Sequence, residues 1–178
     1  IWVQIYYQML KEPYTSQISI WLSIRNIDHQ KKSELQLVEM AQMDEVTGIY
    51  NRAGLKIKVD EKRHVVDSGT MNLFIMLDID GFGRVNDTFG HVYGDQLLRE
   101  LAQTLKLLLN ETNIVARIGG DEFAIYAFGL TDMSMVQERM RILIAAAYRE
   151  LRAGLKLSIS AGVAISPQDG TDLHVLYE

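Results

Sequence analysis

Two short acidic segments carry the residue types with which this chain could do chemistry. Asp78 and Asp80 stand two positions apart at the end of residues 71–77, an apolar run with the length of a strand that is buried on both faces. Asp121 and Glu122 follow two glycines between apolar runs, which predicts a β-hairpin with this acidic turn at its tip. A solvated loop is the alternative for either segment alone. Because buried carboxylates at a strand end need a cation, the two segments together predict a site for a cation.

The elements that must position these carboxylates alternate between helical and strand patterns. Helical spacing predicts helices over residues 52–66, 96–109 and 133–151, and alternation predicts a strand over residues 155–165. A last helix begins at residue 173. The inward-facing leucines of the second helix are expected to be Leu97, Leu98, Leu101, Leu105 and Leu108. With the buried strand and the hairpin, this order predicts an α/β (α+β) sandwich with helices on a mixed β-sheet.

Two strands and a helix are predicted before this sandwich. Residues 18–27 alternate apolar and polar side chains, and with the aromatic-rich residues 1–10 they predict a β-hairpin over residues 1–28. Residues 23–32 resemble the closing strand of a PAS sensor domain that runs into its exit helix, so the hairpin is interpreted as a PAS-like remnant. Residues 29–43 contain neither Gly nor Pro and predict a connecting signalling helix. A helix that lies on its own domain and a two-stranded coiled coil fit its narrow apolar stripe equally well.

Composition argues against several kinds of function for the 178 residues. The net charge is −5 and the 18 basic residues are scattered, which argues against a nucleic-acid partner. The chain contains no cysteine, so it has neither a disulfide framework nor a thiolate metal site. The longest apolar run, residues 142–148, is too short to cross a bilayer, and no membrane contact is expected for this fragment. We expect a cytoplasmic fragment cut from a longer protein, whose membrane anchor, if one exists, lies upstream.

Four motifs lie in register at residues 44–52, 78–82, 86–95 and 117–123. They resemble the motifs of the GGDEF domain, the diguanylate cyclase family, over residues 44–178. The resemblance implies a fold like the palm of nucleotidyl cyclases and polymerases. It also implies that two GTP molecules condense into cyclic di-GMP and release two pyrophosphates. Because each domain holds one GTP, the reaction needs a homodimer, and the connecting helix is expected to couple a sensor to the domain.

The resemblance implies that acidic side chains bind Mg²⁺ or Mn²⁺ and carry the catalysis. Asp78 and Asp121 are the expected metal ligands, together with the backbone carbonyl of Ile79. Glu122 either contributes to the metal site or takes the proton from the attacking 3′-hydroxyl. Phosphoryl transfer depends on positioning and on neutralising charge, which Mg²⁺ bound by a few carboxylates and substrate phosphates provides. The catalytic residues are therefore expected to be Asp78, Asp121 and Glu122.

The resemblance also implies a GTP site, formed by Phe82, Gly83, Arg84, Asn86, Asp95, Gly119 and Gly120. Asn86 and Asp95 match the residues that read the edge of guanine, and the two glycines of the hairpin leave room for ribose and phosphate. Gly83 stands where family members commonly have a lysine that contacts phosphates, and Arg84 is the neighbour that could compensate. The chain ends at Glu178, before the basic residues of the family's last helix, so this fragment is expected to have weak or no activity.

Three further residues are expected to have structural roles. Asp44 and Arg117 are predicted to form an ion pair that anchors the turn in residues 44–52 to the hairpin. His91 is expected to orient its loop rather than to take part in catalysis.

Two further expectations concern product inhibition and an alternative function. The family's product-inhibition site is an Arg-x-x-Asp before the hairpin, and because Asn110 and Asn113 occupy those positions, no such site is expected. The alternative function is a catalytically silent GGDEF domain that acts as a GTP-binding or dimerisation module. Gly83 and the end of the chain favour that alternative, whereas the intact residues 119–123 favour the cyclase. A structural adaptor linked to a PAS domain would leave the acidic cleft unused.

Overall fold

The computed structural model describes residues 1–11, 14, 18–63, 70–109, 112–151 and 156–177. The chain divides into two compact units, Ile1–Ala41 and Gln42–Glu178. In the first unit, β1 (Val3–Lys11) pairs antiparallel with β2 (Ile18–Asn26), and α1 (Asp28–Ala41) follows. The predicted hairpin and helix are therefore both present. The resemblance of this unit to a PAS domain stays a prediction.

The first unit exposes apolar side chains on both its hairpin and its helix. On one face of the hairpin, Ile5 lies opposite Ile24 and Tyr7 opposite Leu22, and these side chains are 56–73% exposed. α1 buries none of its residues. The apolar stripe of α1 is therefore not used for packing within this unit.

The second unit contains the following elements in chain order: α2 (Arg52–Arg63), β3 (Met71–Ile79), α3 (Phe82–Phe89), α4 (His91–Leu108), β4 (Ile114–Gly119), β5 (Glu122–Leu130), α5 (Met133–Ala147), β6 (Arg149–Glu150), β7 (Lys156–Leu157), β8 (Ile159–Ser166) and α6 (Leu173–Leu176). Four strands form an antiparallel sheet in the order β4-β5-β3-β8, and β6 pairs with β7. Among the described residues, parallel pairing occurs as an isolated bridge between Tyr50 and Ala116. A sheet flanked by helices confirms the predicted α/β (α+β) fold class, but its four strands pair antiparallel and do not form the mixed sheet that was predicted.

Side chains of β3 alternate between two cores because successive residues of a strand point to opposite faces. Leu73, Ile75 and Leu77 pack with α4 and α5 on one face, and Phe74 packs with α2 and α6 on the other. All four side chains are at most 1% exposed. Burial on both faces explains the continuous apolar run of residues 71–77. The acidic residues follow where this run leaves the core.

Residues 82–95 form helices, although the sequence predicted no helix between residue 82 and the one that starts at residue 96. Gly90, with φ 83°, separates α3 from α4, and α4 begins at His91, earlier than expected. The glycines in this stretch are typical of turns. Phe82 and Val85 bury one face of α3, however, and this packing outweighs the low helix propensity of glycine.

Several predicted elements end differently in the structure. The described part of α2 ends at Arg63, and the end predicted for this helix, at residue 66, falls among residues 64–69, which lie outside the described part of the chain. α5 ends at Ala147, where the chain continues into the short β6–β7 hairpin instead of a longer helix. The strand predicted over residues 155–165 is divided into β7 and β8. None of the described helices is both long and apolar enough to cross a membrane.

The buried stripe of α4 agrees with the prediction at four of five leucines, Leu97, Leu98, Leu101 and Leu105. Leu108, which was expected to face inward, is 41% exposed. The stripe continues from Leu105 by a step of four residues to Leu109, which packs against the same core. That step leaves Leu108 on the outer face at the end of the helix.

Candidate active site

Asp78 and the acidic hairpin meet at one end of the central sheet. Asp78, next to last in β3, lies opposite Glu122 of β5 on one side and opposite Ser160 of β8 on the other. Asp121 lies in the turn between β4 and β5. Facing residues of antiparallel strands have Cα atoms about 4.5–5.5 Å apart, so the two acidic segments share one region, as predicted. Asp78, Glu122 and Ser160 line a depression of about 260 Å³ there.

The charge of this region acts on Asp78. Burial raises the pKa of the Asp78 carboxyl, and the negative charges of Asp121, Glu122 and Asp80 raise it further. These carboxylates are therefore close enough to repel one another. Repulsion of this kind is relieved by protonation or by a cation bound between the groups.

The hairpin tip is built around two glycines. Gly119 pairs with Glu122, and the register shifts between Arg117 and Gly119. Gly120 has φ 55°, a left-handed conformation that a residue with a side chain adopts with strain. A Cβ atom at either Gly119 or Gly120 would meet no heavy atom within 4 Å. The tip therefore leaves open space where room for ribose and phosphate is predicted.

The carboxylates fit a hard divalent cation such as Mg²⁺ or Mn²⁺, although they form an incomplete set of ligands. Within the described ranges, no three His, Cys, Asp or Glu side chains are grouped as a metal site. Mg²⁺ in enzymes is commonly held by one or two carboxylates, with water and substrate phosphates as the other ligands. Asp78 and Asp121 can supply the carboxylates, and the carbonyl of Ile79 lies next to Asp78 in the chain.

Asp80 has different partners from Asp78. One of its carboxylate oxygens accepts a hydrogen bond from Ser158 Oγ and the other from Ser160 Oγ, both at 2.6 Å. These two bonds lower the pKa of the Asp80 carboxyl. The expectation that Asp80, like Asp78, needs a cation is therefore wrong. Ser158 and Ser160 were not predicted as partners of Asp80, although their spacing of two residues at the start of β8 and just before it places them on one face.

The predicted guanine-reading residues lie on neighbouring helices. Asn86 of α3 packs against Gly94 of α4, where an added Cβ atom would lie 1.9 Å from Asn86 Oδ1. Asn86 Oδ1 is buried and has no hydrogen-bond partner among the described residues. Asp95 follows Gly94 in the chain, is half-buried and has one carboxylate oxygen 4.0 Å from Arg99 Nη2. Because an unpaired buried acceptor is unfavourable, a ligand that donates to Asn86 would stabilise this arrangement.

The start of α3 presents two of its three predicted GTP-binding residues to solvent. Gly81 has φ 70° and precedes the helix, and Arg84 N donates to the carbonyl oxygen of Gly81 at 3.0 Å. Gly83 and Arg84 are exposed, and a Cβ atom at Gly83 would meet no heavy atom within 4 Å. Phe82 is only 8% exposed. Its side chain belongs to the core, so its contact with a ligand is limited to the backbone.

The predicted ion pair between Asp44 and Arg117 is present. Arg117 Nη1 lies 3.1 Å from Asp44 Oδ1, and Arg117 Nε and Nη2 donate to the carbonyl oxygen of Gly120 at 2.9 and 2.7 Å. Asp44 also accepts hydrogen bonds from N and Oγ1 of Thr47. Burial alone would raise the pKa of Asp44, but the bonds from Thr47 and Arg117 outweigh it, and the pKa lies below its ordinary value. One guanidinium thus joins the turn of residues 44–50 to the hairpin tip.

A family model described as "Diguanylate cyclase, GGDEF domain" matches residues 41–178. This chain belongs to the GGDEF domain family. It is 30% identical over 159 residues to the cyclic di-GMP phosphodiesterase PdeR of Escherichia coli, and 36% identical over 138 residues to the diguanylate cyclase DgcP of Pseudomonas aeruginosa. These matches cover 88% and 75% of this chain but 24% and 20% of the two relatives, so it spans about a quarter or less of their length.

A solved structure supports the fold of this GGDEF domain. The coiled coil and GGDEF domain of DgcB from Caulobacter crescentus, in complex with c-di-GMP, superimposes with a TM-score of 0.68 at 25% identity. The match covers 85% of this chain and 82% of that chain. The GGDEF domain described above therefore has the palm-like cyclase fold that the resemblance implied.

Two predictions about this GGDEF domain remain untested by the structure. His91 is exposed at the first position of α4, and its role in orienting the loop stays a prediction. Asn110 lies outside the described residues, and Asn113 Oδ1 accepts a hydrogen bond from Phe128 N at 3.2 Å. Asn113 also lines a depression of about 180 Å³ with Arg139, whose Nη1 is buried without a partner among the described residues. The absence of product inhibition therefore stays a prediction.

Proposed function

We propose that this GGDEF domain is a diguanylate cyclase, in which two GTP molecules condense into cyclic di-GMP and release two pyrophosphates across a homodimer. The observation that carries the proposal is the convergence of Asp78, Asp121 and Glu122 at one end of the sheet, where their charges raise the pKa of Asp78. Such a region suits a divalent cation and the polyphosphate that accompanies it. The relatives DgcP, a diguanylate cyclase, and DgcB, whose structure contains c-di-GMP, support the same reaction here.

In this proposal the acidic residues divide two tasks. Asp78 and Asp121 hold Mg²⁺ or Mn²⁺ together with the carbonyl of Ile79. When bound, the cation neutralises negative charge that develops on the phosphates during transfer. Glu122, opposite Asp78 in the sheet, either completes the metal site or takes the proton of the attacking 3′-hydroxyl.

Each transfer forms one bond and breaks one. The 3′-oxygen of one GTP bonds to the α-phosphorus of the other, and the bond from that phosphorus to the pyrophosphate oxygen breaks. The 3′-proton passes to Glu122 or to solvent. Because two such transfers close the ring, the two nucleotides must face each other from two domains. Turnover is therefore expected to rise faster than linearly with protein concentration until the dimer forms.

The choice of guanine follows from acceptors on α3 and α4. Guanine presents N–H donors at N1 and N2. Asn86 Oδ1, buried without a partner among the described residues, and the carboxylate of Asp95 can accept from those donors. The open tip at Gly119 and Gly120 then leaves room for the ribose and phosphates. Arg84 and the backbone at Gly83 are the proposed contacts to the phosphates at the start of α3.

The proposed setting is a sensory signalling protein of the cytoplasm, where GTP is available. α1 precedes the domain in the chain and is the proposed connection to a PAS-like sensor. These statements concern the whole protein, of which this chain is proposed to be one part.

A second candidate function is a catalytically silent GGDEF domain that binds GTP and regulates through dimerisation. Gly83 favours it, because no side-chain cation stands at that position at the start of α3. The relative PdeR also favours it, because that protein is a cyclic di-GMP phosphodiesterase. Membership of the family therefore does not by itself imply synthesis of cyclic di-GMP.

GTP turnover with Mg²⁺, with cyclic di-GMP resolved by chromatography, separates the two functions. The variants are Glu122→Gln and, as a matched control, Glu138→Gln, which changes an exposed glutamate paired with Arg141 on α5. We expect weak but measurable product from the unaltered chain and from the control, and about 100-fold less from Glu122→Gln. Saturable GTP binding without product in all three would favour the silent domain. No GTP binding by the unaltered chain would contradict both functions.

A further inference from the structure

Asp80 is tied to the start of β8 through both its side chain and its backbone. Ser158 Oγ donates to Asp80 Oδ2 and Ser160 Oγ donates to Asp80 Oδ1, each at 2.6 Å. The backbone N–H of Asp80 donates to the carbonyl oxygen of Ser158 at 3.0 Å. We call Asp80, Ser158 and Ser160 the serine clamp.

The serine clamp lies between two parts of the chain that the proposed function uses. Asp78 and Ile79 precede Asp80, and Gly81, with φ 70°, follows it and leads into α3. Ser160 also lies opposite Asp78 in the pairing of β3 with β8. The clamp therefore acts at the point where β3 leaves the sheet and turns towards α3.

Hydrogen bonds to a charged acceptor are shorter and stronger than those between neutral groups. Each oxygen of Asp80 accepts a hydrogen bond from one serine hydroxyl. The carboxylate is therefore held at two points, at Ser160 in β8 and at Ser158 just before it. After loss of both hydroxyls, the backbone bond from Asp80 to Ser158 would remain, together with the pairing of Asp78 and Ile79 with β8. The turn would then sample more conformations, and the preceding residues would move with it.

We propose that Asp80 is a positioning residue, which Ser158 and Ser160 hold in place so that Asp78 and Ile79 keep the geometry that binds a divalent cation together with GTP. The inference rests on the proposed function and adds a role for three residues that the proposed function does not use. Asp80 acts on the cation through its neighbours in the chain, because both of its oxygens already accept hydrogen bonds from serine hydroxyls.

The test measures Mn²⁺ binding by electron paramagnetic resonance in the presence of a non-hydrolysable GTP analogue, so that no turnover is needed. Ser158→Ala/Ser160→Ala removes both hydroxyls, and Ser158→Thr/Ser160→Thr keeps them. The control, Ser134→Ala, removes another serine-to-aspartate bond, from Ser134 Oγ to Asp132 Oδ1 at 2.5 Å before α5. We expect the alanine pair to bind Mn²⁺ about tenfold more weakly or worse. The threonine pair and the control should bind like the unaltered chain.

Asp80→Asn separates positioning from direct ligation. Its amide oxygen can accept from one serine hydroxyl and its amide N–H can donate to the other, so the shape of the clamp is kept without the charge. We expect a smaller loss of Mn²⁺ affinity than in the alanine pair. In turnover, the alanine pair should raise the Mg²⁺ concentration for half-maximal rate while KM for GTP at saturating Mg²⁺ stays nearly unchanged.

Each other result has a definite meaning. Mn²⁺ binding by the alanine pair equal to that of the unaltered chain would overturn the clamp and leave the proposed function intact. A larger loss in Asp80→Asn than in the alanine pair would make Asp80 a ligand and overturn its positioning role. No nucleotide-dependent Mn²⁺ binding by the unaltered chain would overturn the proposed function and this inference together. Should thermal melting show the alanine pair unfolded, the single serine variants replace it in the same comparison.

Discussion

Gly94 leaves the space that the side chain of Asn86 occupies. The Cβ atom of any other residue at position 94 would lie 1.9 Å from Asn86 Oδ1 and 3.1 Å from the ring of Phe82. α3 and α4 therefore approach each other at a glycine, and the position of the proposed guanine-reading amide depends on it. A glycine in the middle of a helix is otherwise unfavourable, so close packing is its physical justification here.

Replacing Gly94 by Ala is expected to displace Asn86 and to raise KM for GTP about tenfold, because losing one hydrogen bond to a buried group costs about 1–2 kcal/mol. The measurement is KM for GTP in Gly94→Ala, in Asn86→Ala and in the double variant. Because alanine at position 94 acts by moving Asn86, it should add little once Asn86 is already alanine. Effects that simply add in the double variant would contradict this explanation.

Replacing Gly83 by Lys is expected to strengthen GTP binding. The position is exposed on α3, and a Cβ atom there would meet no heavy atom within 4 Å, so the side chain has room. A lysine beside the proposed phosphate contacts should lower Kd about three- to tenfold at low salt and less at high salt. Calorimetry with GTP and Mg²⁺ measures it, and Gly83→Gln is the neutral control of similar length. An equal gain from Gln would show that charge is not the cause.

Replacing Asp44 by Asn is expected to lower the free energy of unfolding by about 1–3 kcal/mol, because the half-buried ion pair with Arg117 would be lost. Urea unfolding gives the value. Glu138→Gln is the matched control, because it breaks an ion pair whose side chains are 72% and 55% exposed and should change stability by less than about 1 kcal/mol. Equal effects of the two substitutions would contradict a structural role for Asp44.

The same pair predicts a pH dependence. The pKa of Asp44 in the folded chain lies below its ordinary value of 3.8, so the ionised carboxylate stabilises the fold at pH values above 3.8. That contribution is lost as the pH falls through the lower, folded-state pKa. The stability difference between the unaltered chain and Asp44→Asn should be constant from about pH 7 to 5 and should shrink below 3.8. A difference that grows on acidification would refute the assignment.

Replacing Asp78 by Asn is expected to stabilise the domain and to impair its metal site. The pKa of Asp78 is raised above 3.8, so its contribution to stability is present below 3.8 and is lost as the pH rises through the raised value. Asparagine is neutral at every pH. The variant should therefore melt slightly higher than the unaltered chain at pH 7, by no more than about 2 °C because solvent screens the exposed Asp78 carboxylate, with the gain lost near pH 3.

A ligand test accompanies the melting curves of Asp78→Asn. Mg²⁺ with a GTP analogue should raise the Tm of the unaltered chain and leave that of the variant unchanged, since a ligand stabilises only a protein that binds it. A variant that melts lower than the unaltered chain at pH 7 would argue against repulsion among Asp78, Asp121 and Glu122.

Features that depend on a local pattern were predictable from the sequence. The apolar run of residues 71–77 indicated a strand buried on both faces, and the glycine pair between apolar runs indicated the β4–β5 hairpin. The ion pair of Asp44 with Arg117 was also predicted, although 73 positions separate the two residues. It followed from two motifs of one family and not from any local pattern.

Features that depend on distant packing were not predictable in this way. α3 was missed because Gly83 and the flanking Gly81 and Gly90 are typical of turns. Burial of Phe82 and Val85 against the rest of the domain nevertheless favours a helix there. The bonds from Ser158 and Ser160 to Asp80 depend on the register of β8 against β3, and that register joins segments about 80 residues apart. A strand pattern gives the face of each side chain but not its neighbour on another strand.

The hydrogen bonds of Arg117 limit which amino acids can replace it. Its Nη1 donates to Asp44, while its Nε and Nη2 donate to the carbonyl oxygen of Gly120. A guanidinium offers these donors in a fixed plane, whereas the ammonium of lysine is a single point charge on a flexible stem. Lysine would keep the charge and lose one of the two attachments. Most surface positions tolerate exchange between the two basic amino acids, but replacement of arginine by lysine at position 117 is therefore expected to be unfavourable.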